Sequence, residues 1–233
     1  HWQEGEPVVA DLAARGTMSD LGPFAALLGT DLSDLGRVDA AIELDGTLRR
    51  PRIRHFEFIS QSEQGLTVAL APVAEALYLD ETQPRDVPVA VRVSGPAPSV
   101  LASWITLPPL EAGAWEANGN LRRSGETLTV HDLAFTVEEV AGRGTLRGNG
   151  DIEQLVPGAA DGPRFRGLQL QLQAEALPLA PRVAAVGEAL PFPLDGEVGG
   201  VADLSGDEGS LELRGVDASV SALGGSTRLR GSV

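Results

Sequence analysis

The chain has 233 residues, and its 33 acidic side chains against 18 basic ones, all arginine, leave a formal net charge of −15. That balance removes the basic stripe needed to grip a phosphate backbone and disfavours flat docking on an anionic bilayer. The absence of cysteine excludes disulfides and thiolate metal sites, while 28 glycines and 16 prolines within 42% apolar content favour many short strands over long helices.

His1–Gly5 reads as linker, and Val8–Ala14 as an edge strand closing a preceding unit. Ser19 or Asp20 caps an expected helix through Leu28, with Gly29 as its stop. Leu21, Phe24, Leu27 and Leu28 share one face of it, so the helix is expected to lie on a sheet. Val38–Leu48 alternates, with Val38, Ala40, Ile42, Leu44 and Leu48 on one side and Asp39, Glu43 and Asp45 on the other. This is the pattern of a strand with one wet face. Further strands follow at Arg52–Ser60, at Leu66, Val68 and Leu70, at Glu75–Leu79, and at Val87, Val89, Val91 and Val93. Five strands thus separate the first helix from a second at Pro98–Ile105.

The order then repeats. Trp115–Arg122, Thr127–Val137 and Gly142–Asp151 lead to a strongly alternating strand carrying Leu168, Leu170 and Leu172, with Gly158–Pro163 as a loop. A third helix is expected at Pro181–Val186, followed by strands at Val198–Leu204, Ser210–Ser219 and Ser226–Val233. Ile53, Val130 and Leu213 recur at intervals of 77 and 83 residues, and the helix-leading Pro23, Pro98 and Pro181 at 75 and 83. Helix and strands therefore repeat together, in a unit longer than the common solenoid repeats. The expected divisions are 1–16, the end of a preceding repeat; 17–95 and 96–176, two repeats; and 177–233, an incomplete third. The fold class is mainly β, with units of about five antiparallel strands plus one short helix joined into a continuous curved sheet or groove. The abrupt start and stop within strand-like runs mark the chain as an expected piece of a longer protein.

Each unit's second strand breaks its alternation at the same place. Ile53 is followed by Phe56, Val130 by Leu133, and Leu213 by Val216. An odd spacing puts such partners on opposite faces of a regular strand, and a β-bulge restores them to one face. The intervening pairs Arg54-His55, His131-Asp132 and Arg214-Gly215 are the expected bulge positions.

Chemistry-bearing patterns are sparse. His1, His55 and His131 are the only histidines, and His55 and His131 fall in different repeats, so neither a shared metal nor a triad is indicated. Gly142-Arg-Gly144 and Gly148-Asn-Gly150 complete no phosphate-loop motif and are assigned to strand-end turns. Asp203, Asp207 and Glu208 in DLSGDEG lack EF-hand spacing, and a solvated hairpin turn accounts for them better. Glu138-Glu139 reads as a wet turn without acid/base partners. No signal peptide or membrane span stands out: the longest candidate, Leu66–Leu79, is short and contains Glu75.

The segments SDLGPFAALLGTDL, LPLAPRVAAVGEALPFPLDGEVGGVADLSG and LELRGVDASVSALGGSTRLRGSV together resemble the bacterial AsmA-like superfamily, which includes AsmA, TamB and the YhdP-type proteins. The resemblance covers essentially the whole chain through degenerate patterns. It implies a periplasmic protein anchored to the inner membrane outside this stretch, whose β repeats form a hydrophobic groove extending towards the outer membrane. It brings no catalytic residues, no metal and no cofactor, so a non-enzymatic role is expected.

Area supplies an independent reason to consider a groove. Five strands about 4.8 Å apart and roughly 20 Å long present a face of about 24 by 20 Å. A helix of about eight residues, about 12 Å long and about 10 Å wide, covers around a quarter of it. The remainder must curl onto itself, pack on neighbours or meet a ligand. The expected lipid-facing residues are Ile42, Leu44, Phe56, Val68, Val89, Val91, Val130, Leu133, Leu170 and Leu172. The expected partner is a phospholipid or other acyl lipid, with envelope proteins as further partners. The rival reading is a structural or protein-interaction module with a dry interior, and a hydrolase stands third because no nucleophile and base pair up.

Overall fold

The computed structural model describes residues 11–18, 36–47, 50–73, 77–78, 88–98, 112–124, 127–139, 144–156, 164–178, 196–222 and 225–232. These residues are mainly β. Twelve strands follow one hydrogen-bonded path in a single sheet, and a thirteenth pairs off it. The chain divides into two compact units, residues 1–93 with 120–125 and residues 94–119 with 126–233. The expected helices at Ser19–Leu28 and Pro181–Val186 lie outside the described residues, as does all of Pro98–Ile105 except Pro98.

The first unit holds β1 (Leu12–Met18), β2 (Arg37–Thr47), β3 (Arg50–Gln61), β4 (Thr67–Pro72), β5 (Leu77–Tyr78) and most of β6 (Val89–Gly95). The expected edge strand Val8–Ala14 overlaps β1 at Leu12–Ala14, with Val8–Ala10 outside the described residues, and β1 runs on to Met18. Strand order is β1-β2-β3-β4-β6. The turn between β3 and β4 is closed by Ser62: its N–H donates to the Leu66 carbonyl at 2.8 Å, and its Oγ accepts the Leu66 N–H at 3.0 Å. That turn fixes the register and leaves Leu66 only 2% exposed. Beside it Val38, fully buried, packs with Met18, Ala40, Phe58 and Val68.

The five strands expected between the first two helices are present as β2 to β6, but only four of them lie on the hydrogen-bonded path. Phe58 opposes Leu70 on β4, while Ile53 opposes Leu77 on β5, so both short strands run the same way along one edge of β3. Leu70 and Leu77 lie two residues farther apart than their partners on β3. β4 and β5 are therefore the halves of one interrupted strand, and the path through this unit counts four strands after β1.

Four is also the number between the second and third expected helices. The second unit holds most of β7 (Ala112–Ser124), then β8 (Thr127–Glu139), β9 (Thr145–Val156), β10 (Arg164–Pro178), β11 (Gly196–Asp207), β12 (Ser210–Ala222) and β13 (Gly225–Gly231), in chain order. β9 pairs with β8 without the interruption that splits β4 from β5. Glu208-Gly209 forms the two-residue link between β11 and β12, with Asp207 opposite Ser210 and Gly209 at φ +81°. The DLSGDEG segment is thus a hairpin tip, and Asp207 Oδ1 accepts the Gly167 N–H at 2.8 Å.

All three expected bulges are present. Glu43 pairs with His55 and Leu44 with Ile53, which leaves Arg54 as the extra residue of β3. Val130 pairs with Ile152 and Leu133 with Gly150, so His131 and Asp132 together oppose Asp151. Asp203 pairs with Arg214 and Val201 with Asp217, so Gly215 and Val216 together oppose Ala202. Two of the bulges use left-handed backbone, Asp132 at φ 52° and Gly215 at φ 58°. Asp and Gly are the residue types for which that conformation costs least.

Candidate functional site

The registers show which candidates come together. In the first unit Ile42 opposes Phe56 and Leu44 opposes Ile53, with Ala40–Phe58–Leu70 as the next row and Val38–Ser60–Val68 beyond it. Ile42, Leu44, Phe56 and Val68 therefore share one face, and all four are half-buried. Ile53 and Phe56 join that face only because Arg54 is extra. Val89 and Val91 alternate along β6 with the exposed Arg92, so the two valines share a face of their strand with Val93.

In the second unit the rows cross five strands. Leu133, Gly150, Leu170, Leu204 and Leu213 stand side by side on β8 to β12. One row over lie Phe135, Gly148, Leu172 and Ala202, and on the other side Val130, Ile152, Leu168 and Gly206. The candidates Val130, Leu133, Leu170 and Leu172 thus belong to one apolar face. Val130 is 6% exposed and Leu168 8%, whereas Leu133, Leu170 and Leu172 are half-buried. Five strands about 4.8 Å apart put the axes of the outer two about 19 Å from each other.

The opposite face is charged. Along β10 the exposed Gln169, Gln171, Gln173 and Glu175 alternate with the apolar series. Glu175 accepts from Arg147 at 3.0 Å and from Gln173 at 3.1 Å. Two Asp residues hold arginine clamps: Asp45 with Arg52 and Arg54, and Asp217 with Arg228 and Arg230. The Arg52 Nε donates to Asp45 Oδ1 at 2.6 Å, as does Arg228 Nε to Asp217 Oδ1. These hydrogen bonds hold both carboxyls below their ordinary value of 3.8, with the arginine charges adding to the effect. Asp39 is lowered similarly, first by the Thr17 hydroxyl and then by Arg37.

Sequence reasoning left Phe135 and Leu204 out of the lipid-facing candidates, and it put Leu213 and Val216 on one face of their strand without joining them to Leu170. Their alternation was visible, but the bulges hide which of two phases continues across each strand. It also misplaced Gly148 and Gly150, which lie within β9 and not in a strand-end turn. A Cβ on Gly148 would collide with the Phe135 ring, and one on Gly150 would come within 2.8 Å of the Gln169 carbonyl carbon. Both glycines permit close packing.

His131 sits at its bulge with Nδ1 3.3 Å from Asp151 Oδ1, which also accepts the Asp132 N–H at 3.1 Å. That arrangement closes the bulge. Among the described residues no three His, Asp or Glu side chains gather as a metal-binding group, and no helix is long and apolar enough to cross a membrane. The chain matches no family model, no curated protein and no solved structure.

Proposed function

We propose that this chain is a non-enzymatic segment of a periplasmic AsmA-like protein that shields lipid acyl chains in a hydrophobic groove between the inner and outer membranes. The observation that supports this reading is the half-buried apolar face of β8 to β12. Its rows of Leu, Ile, Phe, Val, Gly and Ala lie in one sheet, with no second sheet among the described residues. The area of such a face exceeds what a short helix covers, and curvature of the repeated units would turn it into a groove. Each acyl methylene placed there contributes about 0.8 kcal/mol before ordering costs. Headgroups would remain with water near the charged side, and no bond is made or broken.

The test has two arms. Mass spectrometry of organic extracts from the purified chain should find phospholipid or another acyl lipid. Photocrosslinkers at Leu44, Val91 and Leu170 should label lipid in cells, while those at Glu43 and Asp45 on the opposite face should not. Equal labelling on both faces, or none from the apolar face of a folded chain, rejects the proposal. The second reading is an envelope protein-interaction module, favoured by the edge strands β1 and β13. A stoichiometric protein partner without lipid would support it instead.

A further inference from the structure

We infer that Asp45–Gly46 is a latent isomerisation site, at which the Arg52 and Arg54 guanidiniums tie up the carboxyl and suppress its closure onto the Gly46 nitrogen. This inference is independent of lipid binding. An aspartate followed by glycine is among the dipeptides most prone to form a cyclic imide, because no side chain screens the attacking nitrogen. The Gly46 nitrogen bonds to Asp45 Cγ and gives up its proton, while the neutral carboxyl loses its hydroxyl, and the two leave as water. Water then opens the imide at either carbonyl. One opening restores aspartate, and the other makes isoaspartate of the same mass, with the side-chain carbon now in the backbone.

The fold requires the glycine. Gly46 lies near the end of β2 with φ +100°, a conformation that residues with a side chain rarely adopt. A bulkier residue that would slow the attack therefore does not fit, and protection falls to the carboxyl. Asp45 stands opposite Arg52 in the β2–β3 register. Arg52 Nε donates to Oδ1 at 2.6 Å and its Nη2 donates to Oδ2, while Arg54 Nε stands 3.8 Å from Oδ2. Both oxygens are thus engaged in a fork that fixes the carboxylate plane. The Asp45 side chain is only 17% exposed. Its arginine partners also favour the ionised form, which has no hydroxyl to lose.

The repeat supplies a comparison. Aligning Leu44 with Leu204 through their partners Ile53 and Leu213 equates Gly46 with Gly206, which also has a positive φ, +137°. The residue before Gly206 is Ser205, and the residue opposite it is Glu212. Where the carboxyl is absent from this position, so is the opposing arginine. An isoaspartate at position 45 would add a backbone carbon to β2 just beyond the Leu44–Ile53 pair and throw the end of the hairpin out of register.

The test incubates the folded chain at neutral pH and follows isoaspartate in the tryptic peptide Val38–Arg49, where it elutes apart from the aspartyl form. The parent should form it more slowly than the same chain unfolded in urea. Arg52→Gln should form it about tenfold faster than the parent, the factor that one charge-assisted hydrogen bond is worth. Arg54→Gln, at the exposed extra position of the bulge, should show a smaller acceleration, and it carries the test if circular dichroism finds Arg52→Gln unfolded. Arg228→Gln opens the other clamp, on Asp217, which precedes Ala218, and should form no isoaspartate there. That variant separates the role of Gly46 from general loosening of a strand. Equal rates in the parent and the folded arginine variants, or in the folded and unfolded parent, overturn the inference. So does isoaspartate at Asp217 in Arg228→Gln as fast as at Asp45 in Arg52→Gln.

Discussion

The ring of Phe135 on β8 occupies the space that a side chain on Gly148, its register partner on β9, would need. A Cβ built on Gly148 would stand 3.0 Å from Phe135 Cδ1 and closer still to Cε1 and Cζ. The pair shows how the apolar face is packed in the absence of a second described sheet. A large side chain on one strand covers a bare backbone on the next, so the ring is half-buried by its own sheet.

This packing predicts a non-additive double-mutant cycle. Gly148→Ala should destabilise by about 1–3 kcal/mol because the methyl displaces the ring. Phe135→Ala should cost about 2 kcal/mol in lost apolar burial. With the ring gone, Gly148→Ala should become neutral or stabilising by about 0.5 kcal/mol, since alanine restricts the unfolded chain more than glycine does. Urea unfolding of the four proteins measures the coupling. Additive effects would mean that the ring does not lie over Gly148.

The bulge at Gly215 predicts a conformational effect free of side-chain crowding. Its φ is +58°, and a Cβ there would meet only Asp203 Oδ2, at 3.1 Å. Gly215→Val should therefore destabilise through the backbone, by about 1–2 kcal/mol. Gly215→Asn should cost distinctly less, because Asn tolerates left-handed backbone. Equal losses from the two variants, compared by chemical denaturation, would exclude this account.

The three bulges were legible because an apolar partner recurred at an odd spacing at one repeat position, which a regular strand cannot bring onto one face. Strand positions were legible from alternation alone, as along Leu168, Leu170 and Leu172. The strand count was not. Val68 and Leu70 on β4 and the two-residue β5 each carry their own apolar signal, and no local pattern reveals that both pair with β3. Gly148 and Gly150 fell within the expected strand Gly142–Asp151, but local sequence read them as the turn at its end, because glycine is the usual mark of a turn. Their role depends on Phe135 and Leu170, which are distant in sequence. The extent of the candidate face was hidden for the same reason: each bulge reverses the phase of alternation, so Leu204, Leu213 and Val216 join Leu170 only once the registers are known.

The arginine clamps predict a pH dependence confined to acid. Asp217 has its folded-state pKa below the ordinary 3.8, chiefly through the Arg228 hydrogen bond. A depressed carboxyl adds stability that is fully present above the unfolded value and is lost as pH falls through the folded one. Unfolding free energy should therefore fall more steeply below about pH 4 in the parent than in Asp217→Asn, and the two slopes should agree near neutrality. Parallel profiles throughout would show that the clamp does not couple to folding. The contribution should shrink in high salt, since both partners reach solvent.

The neighbouring pair Leu170 and Gln171 separates the apolar face from the charged one within a single strand. Leu170 lies between Gly150 and Leu204 in an apolar row, while Gln171 is exposed on the other side, opposite Asn149 and Asp203. A carboxylate at Leu170 would bring bound water into the row and deprive an acyl chain of several methylene contacts. Losing about three methylenes removes about 2.4 kcal/mol, or roughly fifty-fold in affinity. Leu170→Glu should therefore abolish lipid copurification, and Gln171→Glu, with the same added charge, should leave it unchanged. Leu170 is half-buried, so its substituted carboxylate can reach solvent and the strand should survive, as far-ultraviolet circular dichroism would verify. Equal lipid recovery from the two folded variants would remove this face as the acyl-binding surface. Loss in both would point to the added charge itself, and hence to headgroup attraction in place of an apolar track.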